Sequence, residues 1–308
     1  MTRVAAVDCG TNSIRLLVAD ADPLTGELKS LVRRMEIVRL GQGVDRTGRL
    51  APEALQRTFT ACREYARAVE EHGAERLRFV ATSASRDADN RDEFVSGVVD
   101  ILGVEPEVVT GGQEAEFSFT GATRELAGRP DLEQPYLVVD IGGGSTEFVV
   151  GADRVEAARS VDIGCVRLTE RHQLSDPVTP GEVRAMREDI ASALDLAEQT
   201  VPLAGARTLV GLAGTVTTVG GIALGLDAYD PSAIHHARVS AEQVAGIAER
   251  LLFASHGERA AIPVMHPGRV DVIGAGALIL LAIMERTGAG EVVVSEHDIL
   301  DGIAWSLT

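Results

Sequence analysis

Apolar residues recur along this chain with two different periods. Short, largely apolar runs, as at residues 77–80, 209–212 and 291–294, read as strands. Longer stretches return an apolar residue every three or four positions and predict amphipathic helices. One covers residues 52–72, opening on Pro52 and Glu53 and stopping at Gly73. A second opens on Thr179-Pro180-Gly181-Glu182 and runs towards Val201. Strands and helices mixed in this way predict an α/β fold.

The most informative pattern is an internal repeat. Residues 4–18 align with residues 136–150, and Asp140 stands 132 residues after Asp8. Each copy reads as an apolar strand, an aspartate, a turn of Gly, Ser, Thr or Asn, and a second apolar strand. That is a β-hairpin whose turn carries the polar chemistry. Two copies at nearly half the chain length predict two similar domains with a ligand cleft between them. The expected boundary is a short hinge around Gly128-Arg129-Pro130-Asp131, dividing residues 1–127 from 128–297.

Length and composition agree with two globular domains: 308 residues, 45% hydrophobic and 24% charged. The longest apolar stretch, residues 272–284, is too short to span a bilayer. No basic-then-apolar leader opens the chain. Cys9, Cys62 and Cys165 provide neither a disulfide framework nor a paired-cysteine metal site. The cytoplasm is the expected compartment. A net charge of −17 argues against nucleic acid or an anionic membrane as partner. The charge is uneven: residues 1–130 carry 17 basic and 21 acidic side chains, residues 131–308 carry 12 and 25. Lys29 is the only lysine and lies in no Gly-rich Walker pattern, which excludes a P-loop site.

The paired turns are the first candidates for chemistry. Clustered backbone N–H groups in Asp8-Cys9-Gly10-Thr11-Asn12-Ser13 and Asp140-Ile141-Gly142-Gly143-Gly144-Ser145 would form an anion-binding nest. Asp8 and Asp140 end buried strands, where a carboxylate is costly unless compensated. A divalent cation such as Mg²⁺, shared with phosphate oxygens, meets both demands. A third turn, Gly211-Leu212-Ala213-Gly214-Thr215, reads as strand-to-helix punctuation. Thr110 and Gln113 have capping-box spacing, which leaves Glu114 either to the solvent at a helix start or to orienting a water beside phosphate. Arg86, in a small-residue turn after a strand, suits phosphate or a salt bridge equally.

Taken together, these segments resemble the exopolyphosphatase/guanosine pentaphosphate phosphatase family. That family lies within the actin, sugar kinase and heat-shock ATPase superfamily. The resemblance rests on both Asp-led hairpins, Arg39-Leu40-Gly41-Gln42-Gly43, Ala81-Thr82-Ser83 through Arg86 and Asn90, Gly111 through Glu114, and Gly164-Cys165-Val166-Arg167. It spans nearly the whole chain and is nearest the short, two-domain actinobacterial type. It implies two actin-like (ribonuclease H-like) domains, with a helix in residues 298–308 returning to the first. It implies Glu114 as catalytic base, with Asp8, Asp140 and Glu147 holding the metal and ordering the site. It also implies Thr11, Asn12, Ser13, Arg86, Gly143, Gly144 and Ser145 as phosphate contacts. The chain ends before the helical extension of longer members, and His297-Asp298 is not that extension's metal motif. Gln113 and Glu116 depart from the family pattern.

The reading that follows is a Mg²⁺-dependent hydrolase that removes terminal phosphate from inorganic polyphosphate, preferring short chains. The alternatives are a guanosine pentaphosphate 5′-phosphatase, a kinase of the same superfamily, and an actin-like polymer or chaperone ATPase. The assembly stays open, with a homodimer as one expectation.

Overall fold

The computed structural model describes residues 1–23, 27–126 and 129–308. Of the expected hinge Gly128–Asp131, Gly128 lies outside the described residues, as does Ala127 before it. The chain forms two compact units. Unit 1 is Met1–Gly121 with Ile299–Thr308, and unit 2 is Ala122–Asp298.

Unit 1 is built on five strands: β1 (Thr2–Cys9), β2 (Ser13–Ala21), β3 (Leu28–Ile37), β4 (Arg76–Ala81) and β5 (Glu107–Val108). Their order is β3-β2-β1-β4-β5, with β2 antiparallel to both neighbours and β4 parallel to β1 and β5. Alternation along β1 feeds two cores. Ala5, Val7 and Cys9 pack with Tyr65 and Phe94, while Val4 and Ala6 pack with Ile299, Leu300 and Ile303. Both faces are therefore covered, which explains the unbroken apolar run. The first core is closed by the helix Pro52–Glu71, whose Tyr65 hydroxyl donates to the Ile14 carbonyl at 2.9 Å. That helix begins on Pro52, and Gly73 follows it with φ +61°. The second face is covered by the terminal helix Ile299–Trp305, fixed by an ion pair between Arg33 and the buried Asp301.

Unit 2 repeats the arrangement. Its strands are β6 (Tyr136–Ile141), β7 (Thr146–Gly151), β8 (Val155–Val161), β9 (Thr208–Leu212), β10 (Arg238–Ser240) and β11 (Glu291–Val294). Read from β8, the order is β8-β7-β6-β9-β11-β10. The first five follow the unit 1 scheme, and β10 adds one antiparallel edge strand. Both sheets share this five-strand order with the second strand reversed, as the internal repeat predicts. The helix Pro180–Glu198 starts on a full capping box, with Thr179 N–H donating to Glu182 Oε2 at 2.6 Å. It stops three residues short of Val201. The apolar run at 272–284 starts on the N-cap, Val272, and continues through the buried helix Ile273–Thr287 as far as Met284. No helix among the described residues is long and apolar enough to cross a membrane.

Candidate functional site

Each hairpin turn is closed by the same bond. Gly10 N–H donates to the Ser13 carbonyl at 2.9 Å, and Gly142 N–H donates to the Ser145 carbonyl at 3.0 Å. A second segment then docks on the carbonyl side of each turn. In unit 1, Val38 and Arg39 donate to the Asn12 carbonyl at 3.1 and 2.9 Å, and Gly41 donates to Thr11 at 2.9 Å. In unit 2, Cys165 donates to Gly142 at 3.0 Å, while Val166 and Arg167 donate to Gly143 at 2.9 and 3.0 Å. Turn carbonyls are thereby consumed by protein donors. Among the described residues, the N–H groups of Thr11, Asn12, Gly143 and Gly144 have no such backbone partner. A turn whose acceptors are satisfied and whose donors remain suits an anion.

The docking segments explain glycines that the sequence displays without a reason. A Cβ on Gly41 would overlap Thr11, and one on Gly164 would stand 2.5 Å from the Gly143 carbonyl carbon and oxygen. None of the turn glycines at 10, 142, 143 and 144 has a left-handed backbone. They serve close approach, not unusual torsion. Arg39 does carry φ +51°, a strained conformation for a non-glycine residue next to the first turn.

In unit 1, three loops gather at the carboxyl ends of parallel strands, the usual place for ligands in open α/β sheets. Thr11 Oγ1 and Ser83 Oγ, both buried, lie 2.9 Å apart and tie the β1 loop to the β4 loop. Thr82 N–H donates to the Cys9 carbonyl at 3.1 Å, and Val109 N–H donates to Ala81 at 3.0 Å. Arg86 NH1 binds the Val109 carbonyl at 3.1 Å and Glu114 Oε2 at 3.3 Å. Both alternatives for Arg86 therefore meet in one place, since the nearer of the two acids it pairs with is the candidate base; Asp87 Oδ1 stands 3.9 Å from Arg86 Nε. The capping box is present: Thr110 N–H donates to Gln113 Oε1 at 3.0 Å, and Gln113 N–H returns to Thr110 Oγ1 at 3.3 Å. Glu114 is 7% exposed in the first turn of the helix Gly111–Thr123. It is thus no solvated surface glutamate.

Asp8 sits beneath the first turn. Its Oδ2 accepts from Arg15 Nε at 3.0 Å and from Arg15 NH2 at 2.6 Å, across the β1–β2 pair. In unit 2, Asp140 and Glu147 are direct partners across β6 and β7, at 6% and 1% exposure. Residues directly opposite in an antiparallel pair share one face, where like charges oppose each other unless a cation lies close. Two carboxylates so placed give the all-oxygen donor set that a hard cation such as Mg²⁺ prefers. Ser160, opposite Glu147 on β8, donates to Glu147 Oε1 at 2.7 Å and fixes its orientation. The serine is a contact that sequence reading missed, because nothing local marks a cross-strand partner.

Behind the second turn the packing is dense. A Cβ on Gly276 would lie 2.5 Å from Thr215 Oγ1 and 3.1 Å from the Cys165 Cβ. The third glycine turn opens the helix Ala213–Ala223, with Arg269 lying on Gly214 and donating to its carbonyl and to Thr218 Oγ1 at 3.2 Å. Burial pushes the Cys9 and Cys165 thiols up, and that of Cys62 up to about 12, so none is a nucleophile at neutral pH.

Residues 17–307 match the Ppx/GppA phosphatase family, and the chain belongs to it. Among its relatives is Exopolyphosphatase 2 of Mycobacterium tuberculosis, 53% identical, with 100% of this chain and 99% of the relative covered. The crystal structure of an exopolyphosphatase-like protein superimposes with a TM-score of 0.93 at 43% identity, covering 98% of this chain and 97% of that one. An Aquifex aeolicus Ppx/GppA family member gives 0.80 at 31% identity, over 99% and 97% of the two chains.

Proposed function

We propose that this phosphatase is an exopolyphosphatase, releasing orthophosphate from the end of inorganic polyphosphate. The observation that carries the reading is Glu114: a buried carboxylate in a first helical turn, with Arg86 at its Oε2. Glu114 takes a proton from water as that water attacks the terminal phosphorus. The P–O bond to the next phosphate breaks, and the shortened chain leaves with the bridging oxygen. Positioned general-base catalysis contributes about 10²–10⁴-fold. Arg86, anchored at the Val109 carbonyl, directs its remaining N–H groups to phosphate oxygens, and the amides of Thr11, Asn12 and Ser13 hold a phosphate in unit 1. In unit 2, Gly143, Gly144 and Ser145 provide the equivalent donors. In unit 2, Asp140 and Glu147 would hold Mg²⁺; in unit 1, Asp8 is the candidate cation ligand. When bound, the cation neutralises phosphate charge and stabilises the charge that develops on the oxygens.

Short chains are the favoured substrates in this reading. Holding a long polyanion between cuts needs an extended row of cationic contacts. Residues 131–308 instead carry 25 acidic side chains against 12 basic, a charge that repels phosphate beyond the turns. The test is a phosphate-release panel across short and long polyphosphate, guanosine pentaphosphate and ATP, with a gel time course on one uniform long chain. Gradual shortening of the whole population is expected. Faster release from guanosine pentaphosphate, or full-length chains coexisting with phosphate and no intermediates, would overturn the substrate and chain-length readings respectively.

A further inference from the structure

We propose that Glu125, His235 and His297 form a binding site for a divalent transition metal of the zinc class, within unit 2. The site uses none of the residues of the two hairpin turns. Its ligands are far apart in sequence. Glu125 follows the helix Gly111–Thr123, His235 ends the single turn Pro231–Ile234, and His297 lies in the segment after β11. Glu125 Oε2 stands 3.1 Å from His235 Nε2 and 3.3 Å from His297 Nδ1. The three donor atoms all lie within 4.8 Å of one another.

Those spacings fit a tetrahedral ion. Bonds of about 2.0–2.1 Å to nitrogen and oxygen place neighbouring ligand atoms roughly 3.3 Å apart. Two edges of the triangle are at that spacing, and the third closes with a small ring rotation. The two imidazole rings are 4.6 Å apart between centroids and tilted by 39°. Two imidazoles and one carboxylate suit Zn²⁺, Co²⁺ or Fe²⁺ better than Mg²⁺ or Ca²⁺, which prefer oxygen alone. Three protein donors leave a fourth position for water.

The surroundings set both the cost and the gain. Glu296 N–H donates to His235 Nδ1 at 3.1 Å, so without the ion a neutral His235 carries its proton on Nε2, facing Glu125. Metal capture moves that proton to Nδ1 and gives up the Glu296 bond. In exchange, the hydrogen bonds to Glu125 become coordination bonds. Glu296 and Asp298 add negative charge along the His297 segment. Arg129, beside His236, is engaged by Asp131 at 2.8 Å and by His236 Nδ1 at 2.9 Å. His236 stacks on His235 at 3.7 Å and limits how far that ring can turn.

Placement suggests what the ion does. Glu125 comes four residues after Gly121, where the chain leaves unit 1, and His297 two residues before Ile299, where it returns. One ion would pin both connecting segments to His235, and binding only the folded state would raise stability. The experiment uses the full chain, stripped with chelator and desalted. Zn²⁺ titration calorimetry, metal analysis and Co²⁺ absorption are compared for wild type, Glu125→Gln, His297→Gln and His256→Gln. The last is a control, since His256 pairs with Asp271 elsewhere on the surface. One zinc per chain is expected, with an intense four-coordinate Co²⁺ spectrum and affinity falling about tenfold or more in Glu125→Gln and His297→Gln only. Excess Mg²⁺ should not displace the zinc. Less than one zinc per chain, a weak six-coordinate spectrum, or unchanged affinity in both ligand variants would overturn the proposal.

Discussion

Gly164 lies against the backbone of Gly143 so closely that a Cβ on Gly164 would stand 2.5 Å from the Gly143 carbonyl and 2.7 Å from Gly144 N. The φ of Gly164 is −156°, an extended value open to any residue, so its requirement is contact and not torsion. The glycine lets the helix Cys165–His172 present three N–H groups to the turn carbonyls. Among the described residues, the amides of Gly143 and Gly144 make no backbone hydrogen bond of their own.

Gly164→Ala is therefore expected to displace the second turn. Overpacking against backbone costs about 1–3 kcal/mol. The variant should melt several degrees lower and show a raised KM for polyphosphate. A melting temperature and KM equal to wild type would show that the turn tolerates the methyl group.

Glu114→Gln preserves the shape of the helix start and removes the proton acceptor. Phosphate release should fall about 10²-fold or more in kcat, with polyphosphate still bound. Single-turnover rates and equilibrium binding on the same preparation separate the two effects. Near-wild-type turnover would remove Glu114 from the role of base.

Asp140 and Glu147 are opposed across one hairpin, so Asp140→Asn should raise the Mg²⁺ concentration for half-maximal activity while leaving saturated activity partly recoverable. Excess chelator should abolish phosphate release from wild type. A titration of activity against free Mg²⁺ checks both, and full activity in chelator would sink the metal assignment.

Gly302 reaches the proposed base, Glu114, from a distance. A Cβ there would overlap the Phe117 carbonyl, one turn along the helix that carries Glu114. Gly302→Ala should push that helix away from the terminal helix and lower kcat more than it raises KM, since a small misplacement of a reacting group costs up to about 10²-fold. An unchanged kcat in a folded variant would show that the two helices separate without moving Glu114.

The sequence by itself determined much of this protein. The repeated Asp-led hairpins, the apolar strands and the capping residues act over a few neighbours, so local periodicity and turn chemistry show them directly. That is why β1, β2, β6 and β7, the helices after Pro52 and Pro180, and the capping box at Thr110 were legible. Both sides of Arg86 were legible too, but not that Glu114 would be the nearer of the two acids it pairs with. What only the tertiary structure decided depends on pairs remote in the chain: Gly41 on Thr11, Gly164 on Gly143, Ser160 on Glu147, Gly302 on Phe117 and Arg15 against Asp8. The cluster of Glu125, His235 and His297 is of the same kind. Each of its ligands taken singly is an ordinary polar residue in a loop. No spacing rule joins positions 125, 235 and 297, because their approach is fixed by sheet order and helix packing and not by the separation of residues along the backbone.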